Sequence, residues 1–534
     1  MTGDRVGWID PRPAKPSLPR PAARRANGRR RVLVFDNGKL SPPYTHWTAL
    51  RAPLTGGLAA PRDEVEIVTD TVDLLEPTAG DPCDIVDHWR RQGVSDAVLL
   101  LCDVGVTQPT IALAAAAERA GIPTVSIGIT QAADLMASLA AARCPGMPVV
   151  PLPVSRLDAP AVLADAMTAH LPAVLRGLTA DPATLVAEFA DAYPATRTLW
   201  RDTEIRHDDV DGFAAASRCG DGLPLRGARP AAVACVLDRL DRDGDDVLIP
   251  ALEPSRIALT ARDAVVAAEM AGATPAATRL VIAALEAMAA PAYNLSLGAI
   301  TSHPSGHLLV FSGPLARAAG LESGRGCLGP GARANLAVGR AVNLALRNVS
   351  RAVTGLGALT AFGSSAQLSY CLADRADGPL PPLNVTATGD RDASVVLVHK
   401  CEAPRNVLDH MSATPDALLS SIAAVSATPA SNNAYLPSDL VVLLNPEHAE
   451  ILRRAGWSRV DGQRRLWSLA RNRRTDLLGR NAKPQWPPEW SGWDTIPVTP
   501  SAERIHLVVA GGSGPQSMVA LPWGYARAVL DTIT

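Results

Sequence analysis

The first group of residues in this sequence that could do chemistry is Cys102-Asp103. The apolar run from Asp96 to Cys102 predicts a central strand, and a helix is predicted to begin near Thr107. In an open parallel sheet, ligands bind beyond the carboxyl ends of the strands. A thiol that faces a helix N-terminus there is stabilised as the thiolate, so Cys102 and Asp103 are candidate catalytic residues. Because no histidine stands close by in the sequence to act as a base, a buried Cys102 that packs as a small apolar residue is the alternative.

The second candidate is a glycine-rich stretch that ends in a helix, an arrangement suited to a phosphate or carboxylate. Arg333, Arg340 and Arg347 recur every seven residues along that helix and therefore share a face. We expect Arg333 to hold the anion through its planar fork, and Arg340, about two turns away, to matter less. A loop followed by a solvated stripe of arginines is the alternative. The predicted substrate-binding residues are Ser312, Gly313, Gly329, Gly331, Arg333 and Asn335.

The last third of the chain offers two further candidates at strand ends. Gly511, Gly512, Ser513 and Gly514 follow an apolar strand and are predicted to bind substrate. They do not form a dinucleotide fingerprint, because a proline and a strand-like stretch follow where that motif needs a helix. His448 lies at a strand-to-helix junction and is a candidate catalytic residue, with a structural role as the alternative.

The elements that must position these residues alternate between strands and helices, which predicts α/β architecture with parallel sheets. We expect a basic, disordered tail over residues 1–28, and a doubly wound α/β domain over residues 29–178. Further α/β regions follow over 195–385, which contains the glycine-rich anion loop, and over 386–534. The last region is either separate from the second or interwoven with it.

Composition excludes several classes of protein. The formal net charge of −2 and the aromatic content of 4% argue against a nucleic-acid partner. The sequence contains no run of about 18 apolar residues, so no membrane span is predicted. Eight cysteines are spread singly, without the spacing of zinc ligands, so no metal site is predicted. Single free thiols favour a reducing, cytoplasmic setting.

The N-terminal domain also resembles a known family. Val32-Leu-Val-Phe-Asp-Asn-Gly-Lys39, the strand that ends at Cys102, Glu118-Arg-Ala-Gly-Ile-Pro-Thr-Val125 and Pro148-Val-Val-Pro-Leu-Pro153 resemble the UGSC family, named for a selenocysteine-Gly-Ser-Cys tetrad. The resemblance covers roughly residues 30–155.

The tetrad itself is not kept. Its selenocysteine position falls on Asp103 and its second thiol position on Val106, so the redox couple of the family is not expected here. The later regions are similar to uncharacterised proteins associated with the UGSC family. That similarity aligns Cys371 with a cysteine of those proteins and makes it a candidate catalytic residue.

These observations favour an enzyme of specialised small-molecule metabolism that acts on a polar or anionic metabolite. The reaction type stays open among a lyase step, a group transfer and a thiol-dependent step. The alternative is a catalytically silent binding or scaffold subunit derived from a redox protein. The sequence assigns no cofactor, and a homo-oligomer is compatible with it.

Overall fold

A computed structural model describes residues 7–24, 28–37, 45–59, 65–72, 74, 81–101, 104–155, 157–205, 207, 209–358, 360–480 and 484–533. The first sheet has five parallel strands, each an apolar run bounded by turn residues, as the sequence predicts. These strands are β1 (Arg30–Asp36), β2 (Val65–Thr71), β3 (Asp96–Leu101), β4 (Thr124–Ile129) and β5 (Val149–Leu152). Every residue of β3 and β4 is buried, which explains their unbroken apolar sequences.

Helices cover both faces of this sheet. They are α1 (Arg51–Ala59), α2 (Pro82–Arg91), α3 (Thr107–Arg119), α4 (Ala133–Arg143) and α5 (Pro160–Thr179). Helices α1 and α5 pack against each other, while α2, α3 and α4 form a separate layer. The strand order is β2-β1-β3-β4-β5, so the chain reverses direction across the sheet between β1 and β3. The predicted doubly wound α/β domain is therefore confirmed.

The expected disordered tail is wrong for residues 7–24, which pack on this domain. The guanidinium of Arg24 donates to Glu118 on α3 at 2.6 Å, and both side chains are fully buried. The backbone N–H of Ala22 donates to the same carboxylate at 2.6 Å. The sequence predicts solvated basic residues here, because no local pattern shows that a buried carboxylate on α3 pairs with one of them.

The middle of the chain adds helices and two further sheets. Its elements are α6 (Pro182–Ala192), α7 (Val210–Ser217), α8 (Pro230–Arg239), β6 (Val247–Leu252), β7 (Ile257–Thr260), α9 (Ala261–Ala271), α10 (Pro275–Met288), α11 (Leu295–Ala299), β8 (Gly306–Ser312), α12 (Pro314–Ala318), α13 (Arg333–Ser350), β9 (Cys371–Ala373) and α14 (Leu383–Thr388). The last part contains β10 (Val395–Cys401), β11 (Arg405–Leu408), α15 (Pro415–Ser426), β12 (Leu440–Leu444), α16 (Pro446–Arg454), α17 (Arg459–Leu469), β13 (Arg471–Arg473), α18 (Arg474–Leu477), β14 (Thr495–Pro497), β15 (Ile505–Val509), β16 (Gln516–Ala520) and β17 (Val529–Thr532).

The second sheet joins the two later regions into one unit. Its order is β17-β10-β8-β9, so two strands that follow residue 385 are joined in one sheet to two strands that precede it. Strand β10 runs antiparallel to both β8 and β17. Separate domains over 195–385 and 386–534 are therefore not what the chain forms, and the interwoven alternative describes it.

Alternation along β10 shows how the second sheet is packed. Val396 and Val398 join the core formed with α9, α10 and α13. Val395 and Leu397 point the other way, into a core shared with the third sheet, whose order is β11-β16-β12-β15. The far side of that third sheet packs against α15, α16 and α17. The result is four layers, helices on the two outer faces and two sheets between them.

One helix pair bears on membrane insertion. No single helix in the described ranges has the length and apolar composition to cross a membrane, although 275–288 and 291–299, bent by 84° at their junction, meet that test jointly.

Candidate active site

A cavity of about 270 Å³ lies between the helix-facing side of the second sheet and α13. Lys400, near the end of β10, and His307, near the start of β8, are paired directly across the two antiparallel strands. Along their strands, Lys400 and His307 alternate in step with the residues that face the helices, so they lie on that side of the sheet. Both line the cavity. The strand register therefore places an amine and an imidazole side by side on one wall.

These two side chains belong to a buried chain of three polar groups. The hydroxyl of Tyr293 lies 2.6 Å from His307 Nδ1, and Lys400 Nζ lies 3.3 Å from His307 Nε2. Tyr293 is fully buried, and its hydroxyl has no other hydrogen-bond partner among the described residues. In one consistent arrangement, Tyr293 donates to Nδ1 and the N–H at Nε2 donates to the lone pair of a neutral Lys400 amine.

The surroundings of Lys400 also favour the neutral amine. Lys400 is 5% exposed, and in the described part of the chain it makes no ion pair with a carboxylate. Burial lowers the pKa of Lys400 from 10.5 to about 8. Burial, reinforced by the positive charge of Lys400, lowers the pKa of His307 well below its usual range. The wall of the cavity thus carries an amine that loses its proton at about pH 8, well below the usual value for lysine, beside a neutral histidine.

Arg347, near the end of α13, supplies a positive charge to the same cavity. Its guanidinium makes no hydrogen bond or ion pair with any described residue, and its Nε is buried. Burial first, and then the neighbouring Arg351, lower the pKa of Arg347. A partly buried guanidinium without an anionic partner is costly unless a ligand completes it.

Small polar groups complete the lining. Ser305 is fully buried, and its hydroxyl has no hydrogen-bond partner among the described residues. Thr301 accepts from the indole N–H of Trp523 at 3.2 Å. Gly298 lies so close that a Cβ there would be 3.3 Å from Lys400 Cε. The backbone of α11 therefore presses on the lysine side chain and limits its rotamers.

The predicted site residues lie elsewhere. Cys102 and Asp103 fall outside the described residues. Ser312 and Gly313 stand at the opposite end of β8 from His307. There Ser312 donates to Asn384 Oδ1 at 3.0 Å or to Asp374 Oδ2 at 3.2 Å. Gly313, with φ of 114°, packs against the backbone of residues 393–394. This end of the sheet is a buried polar junction that holds the chain together.

The residues of the predicted anion loop lie in different surroundings in the structure. Asn335 is buried, and its amide accepts from Glu322 N and donates to the carbonyls of Glu322 and Cys327 at 2.8–2.9 Å. Those bonds use the Asn335 side chain to hold the loop, which favours a structural role, and a ligand role for it stays a prediction. Arg333 is exposed at the start of α13. Gly331 has φ of 102°, a conformation that glycine tolerates, and Gly329 N donates to Gly326 O at 2.8 Å in a turn.

Two of the predicted catalytic residues are buried in structural settings. Cys371 is 2% exposed at the start of β9, and burial raises the pKa of its thiol, which disfavours the reactive thiolate. His448 is 3% exposed, with Nδ1 2.7 Å from Ser517 Oγ and Nε2 3.0 Å from the carbonyl of Asp409. Both ring nitrogens are thus engaged within the protein. The structural alternative weighed for His448 accounts for its position.

The residues 511–514 form the loop between β15 and β16. Gly511, with φ of 88°, donates its N–H to the carbonyl of Ser323 at 2.8 Å. A Cβ on Gly512 would be 2.9 Å from Cβ of Arg325. The two glycine-rich loops predicted from the sequence therefore contact each other through close packing of their backbones. These residues are separated in the sequence from Lys400 and His307. Binding of substrate by Ser513 and Gly514 stays a prediction.

The sequence did carry signals for the residues that reasoning missed. The chain has four lysines, Lys15, Lys39, Lys400 and Lys483. Lys400 stands directly after the apolar run Val395-Val-Leu-Val398 and a histidine. An apolar run of this kind predicts a buried strand. Arg347 is the third member of the heptad series whose first member was expected to bind the anion.

No group of three or more metal-ligating side chains occurs within the described residues. All seven cysteines that the structure describes are free. Comparison of the chain with protein-family models, with curated proteins and with solved structures gives no match in any of the three. The similarity to the UGSC family therefore stays a prediction, and the function has to be argued from the cavity.

Proposed function

We propose that this protein is a lyase that activates a small carbonyl compound as an imine on Lys400. The observation that carries the proposal is the position of the Lys400 amine on the cavity wall, hydrogen-bonded to His307 and without a carboxylate partner among the described residues. A desolvated lysine of this kind is the usual nucleophile for carbonyl substrates. The thiol-dependent alternative loses support at Cys371, which is buried and whose thiol pKa is raised by that burial, and at Cys102 it stays a prediction.

The chemistry follows from a neutral amine. Lys400 Nζ attacks the carbonyl carbon, and the carbonyl oxygen leaves as water with the two amine hydrogens. Solvent protonates the resulting imine, which makes it an electron sink. The bond between the carbons α and β to the imine then breaks and its electron pair moves toward nitrogen, while the β fragment loses its hydroxyl proton to solvent and leaves as a carbonyl compound. Protonation of the α carbon and addition of water then release the product and restore the amine. His307 holds the attacking atom Nζ through its contact at Nε2, and Tyr293 is a positioning residue that acts through His307.

The test is reductive trapping. The purified protein is incubated with pyruvate and sodium cyanoborohydride at pH 8, digested, and mapped by mass spectrometry. The expected result is one covalent adduct per chain on Lys400, and none in Lys400→Met. Lys15, which is about half exposed and lies 3.4 Å from Asp202, is the internal control for random surface modification. Equal labelling of Lys15 and Lys400, or no adduct on Lys400 with any small aldehyde or ketone, would contradict the proposal and favour the silent subunit.

His307 gives a second readout. In His307→Gln the Nδ1 contact to Tyr293 is lost, and the amine loses the group that holds it at 3.3 Å. We expect the pH at which trapping reaches half its maximum to move, with the fold intact by circular dichroism. A merely structural histidine would change the yield of folded protein and leave that midpoint unchanged.

A further inference from the structure

We infer that Arg347 is the substrate anchor of this cavity and that the carbonyl substrate carries a carboxylate. The inference rests on the imine function proposed for Lys400 and names its substrate class. Arg347 and Lys400 line the same cavity of about 270 Å³, so one small molecule can meet both.

The first argument is that the guanidinium of Arg347 lacks hydrogen-bond acceptors among the described residues. Other buried arginines of this chain have partners within the protein for part of the guanidinium: Arg351, fully buried, donates to the carbonyls of Thr198 and Ser217 at 3.2 and 2.8 Å. Arg347 makes no such bond to any described residue, although part of its guanidinium is buried. A planar group with free N–H donors facing a cavity is complete only with an external acceptor.

The second argument is the charge around it. The acidic side chain nearest to Arg347 in the lining is Asp221, which Arg340 holds at 2.6 and 2.9 Å. Asp221 attracts Arg347 without forming an ion pair with it, whereas Arg351 and Arg218 repel it. No carboxylate among the described residues pairs with Arg347, so a bound anion lowers the energy of its charge.

The third argument selects the anion. A guanidinium fork matches two oxygens of a planar carboxylate, with which it forms paired hydrogen bonds. The buried hydroxyl of Ser305, which has no partner in the described part of the chain, lines the same wall and offers one more donor. A single arginine and neutral hydroxyls suit a singly charged carboxylate better than a phosphate dianion, which usually recruits several donors and charges.

The experiment compares three probes by cyanoborohydride trapping on Lys400: pyruvate, its methyl ester, and glycolaldehyde phosphate. For the wild type we expect pyruvate to reach half-maximal labelling at a lower concentration than either of the others. Arg347→Gln should raise that concentration about tenfold or more for pyruvate, in line with loss of a charged hydrogen bond. It should change the value for the neutral ester by less than about twofold.

The matched control is Arg317→Gln, the same substitution at an exposed arginine of α12 that does not line the cavity. It should leave all three probes unchanged. If Lys400 is labelled but Arg347→Gln affects ester and acid equally, the anchor inference fails while the imine function stands. A preference for the phosphate probe that depends on Arg347 would overturn the carboxylate assignment. Absence of labelling with every probe would instead contradict the proposed function itself.

Discussion

The doubly wound domain and the second sheet bury charged side chains in opposite ways. In the first, Arg24 is matched by Glu118, and Arg30 by Asp96, each pair almost fully buried. On the helix-facing side of the second sheet, Lys400 and Arg347 have no carboxylate partner among the described residues. A matched buried charge holds segments together, whereas an unmatched one lowers stability and is available to a ligand. This difference directs attention to the second sheet, although the first has the more familiar binding topology.

The largest expected effect tests the matched charges. Glu118 accepts from Ala22 N, from Arg24, and from both the N–H and the hydroxyl of Thr124. Glu118→Ala leaves the Arg24 guanidinium buried without a counter-charge, and we expect a loss of about 3–5 kcal/mol in the free energy of unfolding. Chemical denaturation measures it.

The double variant Arg24→Ala/Glu118→Ala is the control, because it removes both charges. It should be destabilised by clearly less than the sum of the two single variants. Additive losses would mean that the two charges do not depend on each other, and that the N-terminal segment is not held by this pair.

For the unmatched Lys400 amine, we expect a mutation to have the opposite effect on the free energy of unfolding. Lys400→Met replaces a desolvated ammonium by an apolar side chain of similar length, and we expect it to stabilise the protein at pH 7 by on the order of 2 kcal/mol. This figure is the penalty implied by a pKa of about 8 in place of 10.5, less the cost of leaving His307 Nε2 without a partner. Lys15→Met, at an exposed ion pair, should change stability by less than about 0.5 kcal/mol. A destabilised Lys400→Met would show that the amine has a structural partner.

The pH dependence of that difference follows from linkage. Between pH 8 and 10.5 the unfolded chain still binds the Lys400 proton and the folded protein has lost it, so wild-type stability gains with rising pH from this group. The advantage of Lys400→Met should therefore be full below pH 8 and disappear as the pH approaches 10.5. Denaturant midpoints of both proteins across that range measure it. A constant difference would mean that Lys400 has an ordinary pKa in the fold.

The smallest effects compare two neighbours at the start of α13. Asn335→Ala removes three internal hydrogen bonds and should cost about 1–3 kcal/mol. Arg333→Ala, at an exposed position, should stay within about 0.5 kcal/mol. Thermal unfolding of the two variants distinguishes them, and equal values would return the loop to the ligand role expected from the sequence.

Local patterns were enough to predict most of the elements. The apolar run from Asp96 to Cys102 located β3 to within one residue, and the αβ alternation of the first domain predicted its parallel sheet. The pairing of β10 with β8 and β17 was not predictable, because it joins segments far apart in sequence and no local signal specifies it. The boundary near residue 385 failed for that reason.

The candidate site shows the same limit. Glycines and a nearby arginine mark a loop in the sequence, but only the tertiary contacts of Asn335 show that the loop holds itself together. Lys400 was recognisable as a charge in an apolar strand, yet its partner His307 becomes visible only through the strand register. Arg347 belonged to the series that was singled out, and the structure decides which member faces the cavity.

The place of β10 between β8 and β17 has a consequence for the growing polypeptide. Strand β8 can pair with β10 once residue 401 has been synthesised, but the other edge of β10 gains its partner only after residues 529–532 emerge. Until then an apolar strand edge that carries Lys400 is open to pairing with other chains. The strand that carries Lys400 therefore keeps one edge unpaired while the residues between β10 and β17 are synthesised, an interval in which the nascent chain is exposed to aggregation.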